Sequence, residues 1–237
     1  LVLTVFIYAA GMFAKRQLAS QDLPPGQWTD INYYNLHIYC TGEGSPTVIL
    51  EAGLNDFYLT WTKVQPEIAK TTRVCSYDRA GMGWSDPSPN PRTSDVMAAE
   101  IHTLLRNTGI EGPYILVGHS FGGIVARSFA GQYPAEVAGM VLVDSAHEEQ
   151  VSRLPYLQDS TDELVAQFRT LSLLSSSGLM ALSPRTIPNR GFPEGAYRQY
   201  QAVLATTDYF KGAIAETKAF YSASPQSKPA SLGDLPM

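Results

Sequence analysis

The chain has 237 residues, of which 44% are hydrophobic and 16% charged, with a formal net charge of −5 at neutral pH. That size and composition suit one globular domain with a substantial core, and the acidic balance leaves no basic footprint for nucleic acid or anionic lipid. No Walker-type glycine loop, paired Cys-x-x-Cys or His-Glu-x-x-His occurs, so no metal or nucleotide cofactor is expected.

In chain order, Leu1 to Ala14 are mostly apolar or small and meet Lys15-Arg16. The run is shorter than the ~20 residues that cross a bilayer. It reads as the tail of a membrane anchor or signal, followed by a polar linker to Gly26. Membrane association or an extracytoplasmic location is the expectation, with the cytoplasm as the alternative. Gln27 to Ile31 and Leu36 to Thr41 flank Asn32-Tyr33-Tyr34-Asn35 and read as a hairpin. Thr47 to Glu51 is a buried-strand run, Trp61 to Lys70 a helix, and Arg73 to Tyr77 another strand. Ser94 to Asn107 carries Met97, Ile101, Leu104 and Leu105 at helical spacing, with Thr93 or Ser94 as cap and Gly109 beyond.

Tyr114-Ile115-Leu116-Val117 then leads into Gly118-His119-Ser120-Phe121-Gly122, and a helical run follows to Pro134. Strand, glycine-bounded serine and helix is the order that projects a serine hydroxyl from the top of a sheet. The glycines are needed because so tight a turn brings strand and helix close together. Met140 to Val143 is a further strand, ending in Asp144. Alternation of strand and helix from Thr47 onward implies parallel strands with crossover helices. Gly53, Asp78, Ser120 and Asp144 each follow a strand's carboxyl end and are expected along one sheet edge, where ligands bind.

Beyond Glu148 the strand pattern stops. Thr161 can cap a helix through Leu171, Ser175 to Gly178 is a break, and Pro193–Ala205 and Asp208–Tyr221 are helical stretches. The division read from this is 1–26 for anchor and linker, 27–147 for an α/β core, 148–231 for a helical lid and 232–237 for the start of the next core strand. Both ends of the chain read as cut.

Four motifs carry a resemblance: Glu51-Ala52-Gly53-Leu54, Asp78-Arg79-Ala80-Gly81-Met82-Gly83-Trp84-Ser85, Gly118 to Gly123, and Val141-Leu142-Val143-Asp144. Together they resemble the α/β-hydrolases, in particular capped members related to epoxide hydrolases, haloperoxidases and proline iminopeptidases. The resemblance covers Trp28 to Met237. It implies a doubly wound, mostly parallel sheet with a helical lid after Asp144, and a serine hydrolase acting on an ester or amide of a small molecule. Ser120 would be the nucleophile, and the backbone N–H groups of Leu54 and Phe121 the oxyanion hole. Gly53, Phe57, Trp84 and His147 would line the pocket. Ala52-Gly53 stands where the family commonly has His-Gly. A serine at 120 disfavours epoxide hydrolysis and dehalogenation, which use aspartate. Carbon–carbon hydrolysis or perhydrolysis, and a catalytically silent small-molecule binder, are the alternative readings.

The family order places acid and histidine after the serine, and His147 is the only histidine beyond Ser120. The resemblance puts the base after the final strand, so the chain as it stands is expected to lack its catalytic histidine. Asp144 is the candidate acid, or braces its loop; His147 fits the pocket entrance or a solvated loop, with an Asp144–His147–Ser120 relay as the alternative. His37, His102 and His119 read as structural, and Asp78-Arg79 as a loop-organising carboxylate beside an outward arginine. The fold's strand order sets Cys40 beside Cys75, so a disulfide is open to them outside the cytoplasm; the alternative is two buried small hydrophobes.

Overall fold

The computed structural model describes residues 2–221, 232–233 and 235–237. A helix, α1 (Val2–Gln21), precedes the hairpin β1 (Gln27–Asp30) and β2 (Asn35–Thr41). The parallel strands are β3 (Thr47–Glu51), β4 (Val74–Tyr77), β5 (Tyr114–His119) and β6 (Val137–Val143). Short α2 (Gln65–Ile68) and longer α3 (Ser94–Asn107) and α4 (Phe121–Gln132) connect them. The sheet order is β1-β2-β4-β3-β5-β6, antiparallel in its first two pairings and parallel thereafter. Every residue of β3 and β4 is buried, as both faces of a helix-covered parallel sheet require.

Local chemistry accounts for most boundaries. The Thr93 hydroxyl accepts from Val96 N and starts α3, whose apolar stripe buries Met97, Ile101, Leu104 and Leu105. Two readings change. Trp61–Lys70 is not one helix: a 3₁₀ turn (Tyr58–Trp61) comes first, and α2 begins only at Gln65 because Pro66 fits a first helical turn and not an interior. The stretch read as linker is helical through Gln21, since residues 13–19 include strong helix formers and the first breakers are Pro24-Pro25.

Among the described residues, five α-helices follow β6: α5 (Gln150–Arg153), α6 (Tyr156–Ser176), α7 (Leu179–Leu182), α8 (Glu194–Leu204) and α9 (Thr207–Tyr221). α6 starts five residues before the cap expected at Thr161. Gly178, at φ 78°, makes the sharp break before α7. α6 packs along α9, and α1 lies against α7 and α8. Phe57, Tyr58, Met82, Tyr200, Tyr209 and Phe210 form an apolar cluster between these helices and the strand-end loops. Ser231, at the end of the expected helical region, lies outside the described residues. At the sheet edge Met140 N donates to Pro236 O (2.9 Å), so the last residues run beside β6.

Cys40 and Cys75 are cross-strand partners in β2 and β4 and form a disulfide. Among the described residues no helix is long and apolar enough to cross a membrane.

Candidate active site

The parallel order brings Gly53, Asp78, Ser120 and Asp144 to the carboxyl ends of β3, β4, β5 and β6. Ser120 has φ 50° and ψ −121°, a conformation disfavoured for any residue with a side chain, at a cost of order 1–3 kcal/mol. Three backbone hydrogen bonds hold it there: Ser120 N donates to Val143 O (3.1 Å), and Ser120 O accepts from Gly123 N and Ala146 N (both 3.0 Å). The neighbouring glycines permit the close approach. A β-carbon on Gly118 would lie 2.6 Å from Gly123 Cα, and one on Gly122 would lie 2.5 Å from both Glu51 O and Ala52 O. The serine itself is half-buried.

The loop after β3 stands beside it, a β-carbon on Gly53 falling 3.5 Å from Ser120 Cβ and 2.9 Å from His119 Nδ1. Phe121 is the first residue of α4, so its N–H precedes the intrahelical ladder. The Leu54 N–H has no protein acceptor among the described residues. The Phe121 amide thus directly follows the serine in the chain, and the Leu54 amide belongs to the loop whose Gly53 approaches it.

Asp78 organises the neighbouring loop as expected. Its carboxylate accepts from Tyr58 N (2.8 Å) and Trp84 N (2.9 Å) and faces His37 Nδ1 at 2.9 Å, while His37 Nε2 faces Pro25 O at 2.7 Å. Both partners of the His37 ring are acceptors, so both nitrogens carry protons. Burial works against that charge, but Asp78 and the Pro25 carbonyl outweigh it and raise the His37 pKa. A raised folded-state value gives stability that is full below the unfolded pKa of about 6.5 and lost as pH rises through the folded one. The urea midpoint is thus expected to fall from pH 6.5 upward, and to fall less in His37→Asn; equal pH slopes in the two proteins would refute the imidazolium.

Arg79 does not point outward. It is 2% exposed, and all five of its N–H groups are used. Nη1 donates to Glu51 Oε1 (2.6 Å) and Ala52 O (2.7 Å). Nη2 donates to Gly53 O (2.7 Å) and Glu216 Oε2 (2.9 Å), and Nε to Glu216 Oε1 (2.7 Å). Burial opposes its charge, yet Glu216 and Glu51 hold its pKa well above the usual value. Tyr77 Oη donates to the second Glu51 oxygen, and the Phe121 ring lies under the guanidinium at 5.6 Å. The reading from sequence missed Glu51, Asn55 and Glu216. Glu51 carried a signal, as an acid at the end of an otherwise apolar buried strand.

Asp144 is exposed at φ 43°. His147 is exposed, with Nδ1 accepting from Glu149 N (3.1 Å) and Nε2 3.8 Å from Glu148. Among the described residues no hydrogen bond joins Asp144 or His147 to Ser120. The 144–148 loop is braced by Arg127, which donates to Glu148 Oε1, Ser145 Oγ and Ala146 O. Phe57 is buried in the apolar cluster, and Trp84 packs on its edge. A cavity of about 530 Å³ between β2, α2 and α8 is lined by Tyr39, Tyr58, Gln65 and Gln199; Ser120 does not line it.

A family model for the alpha/beta hydrolase fold matches residues 46–208, and the chain belongs to that family. It is 36% identical over 138 residues to an AB hydrolase superfamily protein of Gibberella zeae, covering 56% of this chain and 42% of that one. It is 32% identical over 127 residues to the lipase LipV of Mycobacterium tuberculosis, covering 53% and 48%. The chain thus spans less than half the length of either relative. The fold superposes on the Cif epoxide hydrolase of Acinetobacter nosocomialis with a TM-score of 0.68 at 14% identity, covering 90% of this chain and 72% of that one.

Proposed function

We propose that the chain is a serine hydrolase that cleaves an ester or amide of a small molecule through an acyl-enzyme on Ser120. The backbone strain at Ser120 carries this reading: a non-glycine residue held at φ 50° by three hydrogen bonds is an arrangement found where strain serves chemistry. The Ser120 hydroxyl oxygen attacks the acyl carbon and its proton passes to a base, the role that the family resemblance gives to a histidine after the final strand, while the carbonyl oxygen gains charge between the Leu54 and Phe121 amides. Each such donor contributes about 3–4 kcal/mol to the transition state. The alcohol or amine leaves with a proton, and water then releases the acid and regenerates the serine. Asp144 is the acid in this reading. Helices α5 to α9 form the lid, with Gly53, Trp84 and His147 towards its entrance. Reaction of the intact protein with a fluorophosphonate, located by mass spectrometry, tests it: modification at Ser120 is the supporting result.

Membrane association is a second element of the proposal. Among the described residues, 2 to 9 are all exposed, including Leu3 and Phe6, so the first turns of α1 present a largely apolar, little-covered surface. A dimer covers one face of such a helix, whereas lipid surrounds it. Exposed Leu179 and Leu182 on α7, which α1 packs against, extend the apolar surface. The disulfide fits an oxidising compartment. Flotation with phosphatidylcholine vesicles is expected, and its loss in Leu3→Asp/Phe6→Asp; a wild-type protein that stays with the unbound fraction overturns the idea.

A further inference from the structure

We infer that Arg79 and Glu216 are positioning residues that set the oxyanion-hole amide of Leu54 only while α9 is seated on the strand ends. This rests on Ser120 being the nucleophile. The Arg79 guanidinium holds the carbonyls of two consecutive peptides, Ala52 O and Gly53 O, each at 2.7 Å. A trans peptide directs its N–H opposite to its C=O. Pinning Gly53 O on Arg79 therefore turns the Leu54 N–H to the far side of the plane. Asp56 N also donates to Gly53 O (3.1 Å), closing the turn around that carbonyl.

Glu216 belongs to α9 and binds both parts of the device. Its two oxygens take Arg79 in a fork, and Oε2 also accepts from Asn55 N (3.1 Å), the amide immediately after Leu54. Asn55 has φ 60°, and α9 grips it twice more: Asn55 Nδ2 donates to Thr217 Oγ1 (3.1 Å), and Tyr209 Oη donates to Asn55 O (3.0 Å). A β-carbon on Gly212 of α9 would fall 2.3 Å from Gly81 O, so the helix backbone rests on the loop after β4. α9 also sets Phe220 edge-on to the Phe121 ring at 5.4 Å, packing on the residue that carries the other amide of the pair. Helix α9 is thus bonded to the loop that carries the Leu54 amide and packed on the Phe121 ring. Lifting α9 removes Glu216 from Arg79 and releases the peptide planes, so catalysis and lid seating are coupled.

The test uses the intact protein, with active sites counted by fluorophosphonate titration and Ser120→Ala as the reference. Glu216→Gln keeps the shape but removes the charge that forks Arg79. Arg79→Lys keeps the charge but lacks the planar fork that holds two carbonyls at once. Both are expected to lose roughly 10–100-fold in kcat per titrated site with KM within about twofold, because the interaction acts in the transition state. A role limited to neutralising buried carboxylates would be rescued by Arg79→Lys. Wild-type kcat in that variant, or a KM rise at unchanged kcat in Glu216→Gln, overturns the inference. If Arg79→Lys fails to fold, Glu216→Gln decides alone. If Ser120→Ala retains turnover, the hydrolase reading fails instead, a result distinct from wild-type kcat in the positioning variants.

Discussion

Ser120→Ala is expected to abolish fluorophosphonate labelling and to lower ester hydrolysis by the intact protein about 10⁴–10⁶-fold, the loss seen when a nucleophile is removed from such a unit. The folded state should be unaffected. The bonds that shape the turn are all backbone bonds, from Ser120 N to Val143 O and from Gly123 N and Ala146 N to Ser120 O. Alanine pays the same conformational cost at φ 50° as serine does, so melting temperature should move little. Labelling that persists in the variant, or hydrolysis at more than a tenth of the original rate, would place the chemistry on another residue.

Gly122→Ala is expected to be strongly disruptive for a change of one methyl group. The added carbon would sit 2.5 Å from Glu51 O and Ala52 O and 2.8 Å from Glu51 Cγ. Two of these atoms are backbone, and Glu51 is tied to Arg79 and Tyr77, so no flexible side chain can yield. Strand β3 and helix α4 must separate, at a cost of about 1–3 kcal/mol or more. The separation moves the Gly53–Leu54 loop relative to Ser120, and labelling should slow together with the fall in urea midpoint. Gly195→Ala in α8 is the control, since nothing lies within 4 Å of its added carbon and alanine favours a helix by about 1 kcal/mol. Equal stability of Gly122→Ala and Gly195→Ala would show that strand and helix are not in the contact described.

Much of the architecture is legible in short stretches. The strand Thr47–Glu51 and the helix Ser94–Asn107 occur with the bounds that their apolar spacing and the Thr93 cap imply. The shared edge of Gly53, Asp78, Ser120 and Asp144 follows from alternation alone, because parallel strands point the same way. Where the reading departed, a local signal had two meanings. Pro66 starts a helix as readily as it breaks one, and Thr161 offers a cap that α6, already begun at Tyr156, does not use.

Arg79 marks the limit most sharply. Beside Asp78 in the chain it reads as an outward charge next to a loop-organising carboxylate. Its partners lie 28 residues before it, at Glu51, and 137 after it, at Glu216. A buried charge is tolerated only where opposite charges and acceptors converge on it, and convergence between such distant segments has no local trace. The amino-acid order itself determined the hydrolase scaffold and the strained turn at Ser120, since steric rules between adjacent residues act wherever that segment goes. Only the tertiary structure decided that Arg79 turns inward and that α9 crosses the loop after β3, because each depends on surfaces that meet only after the chain has folded.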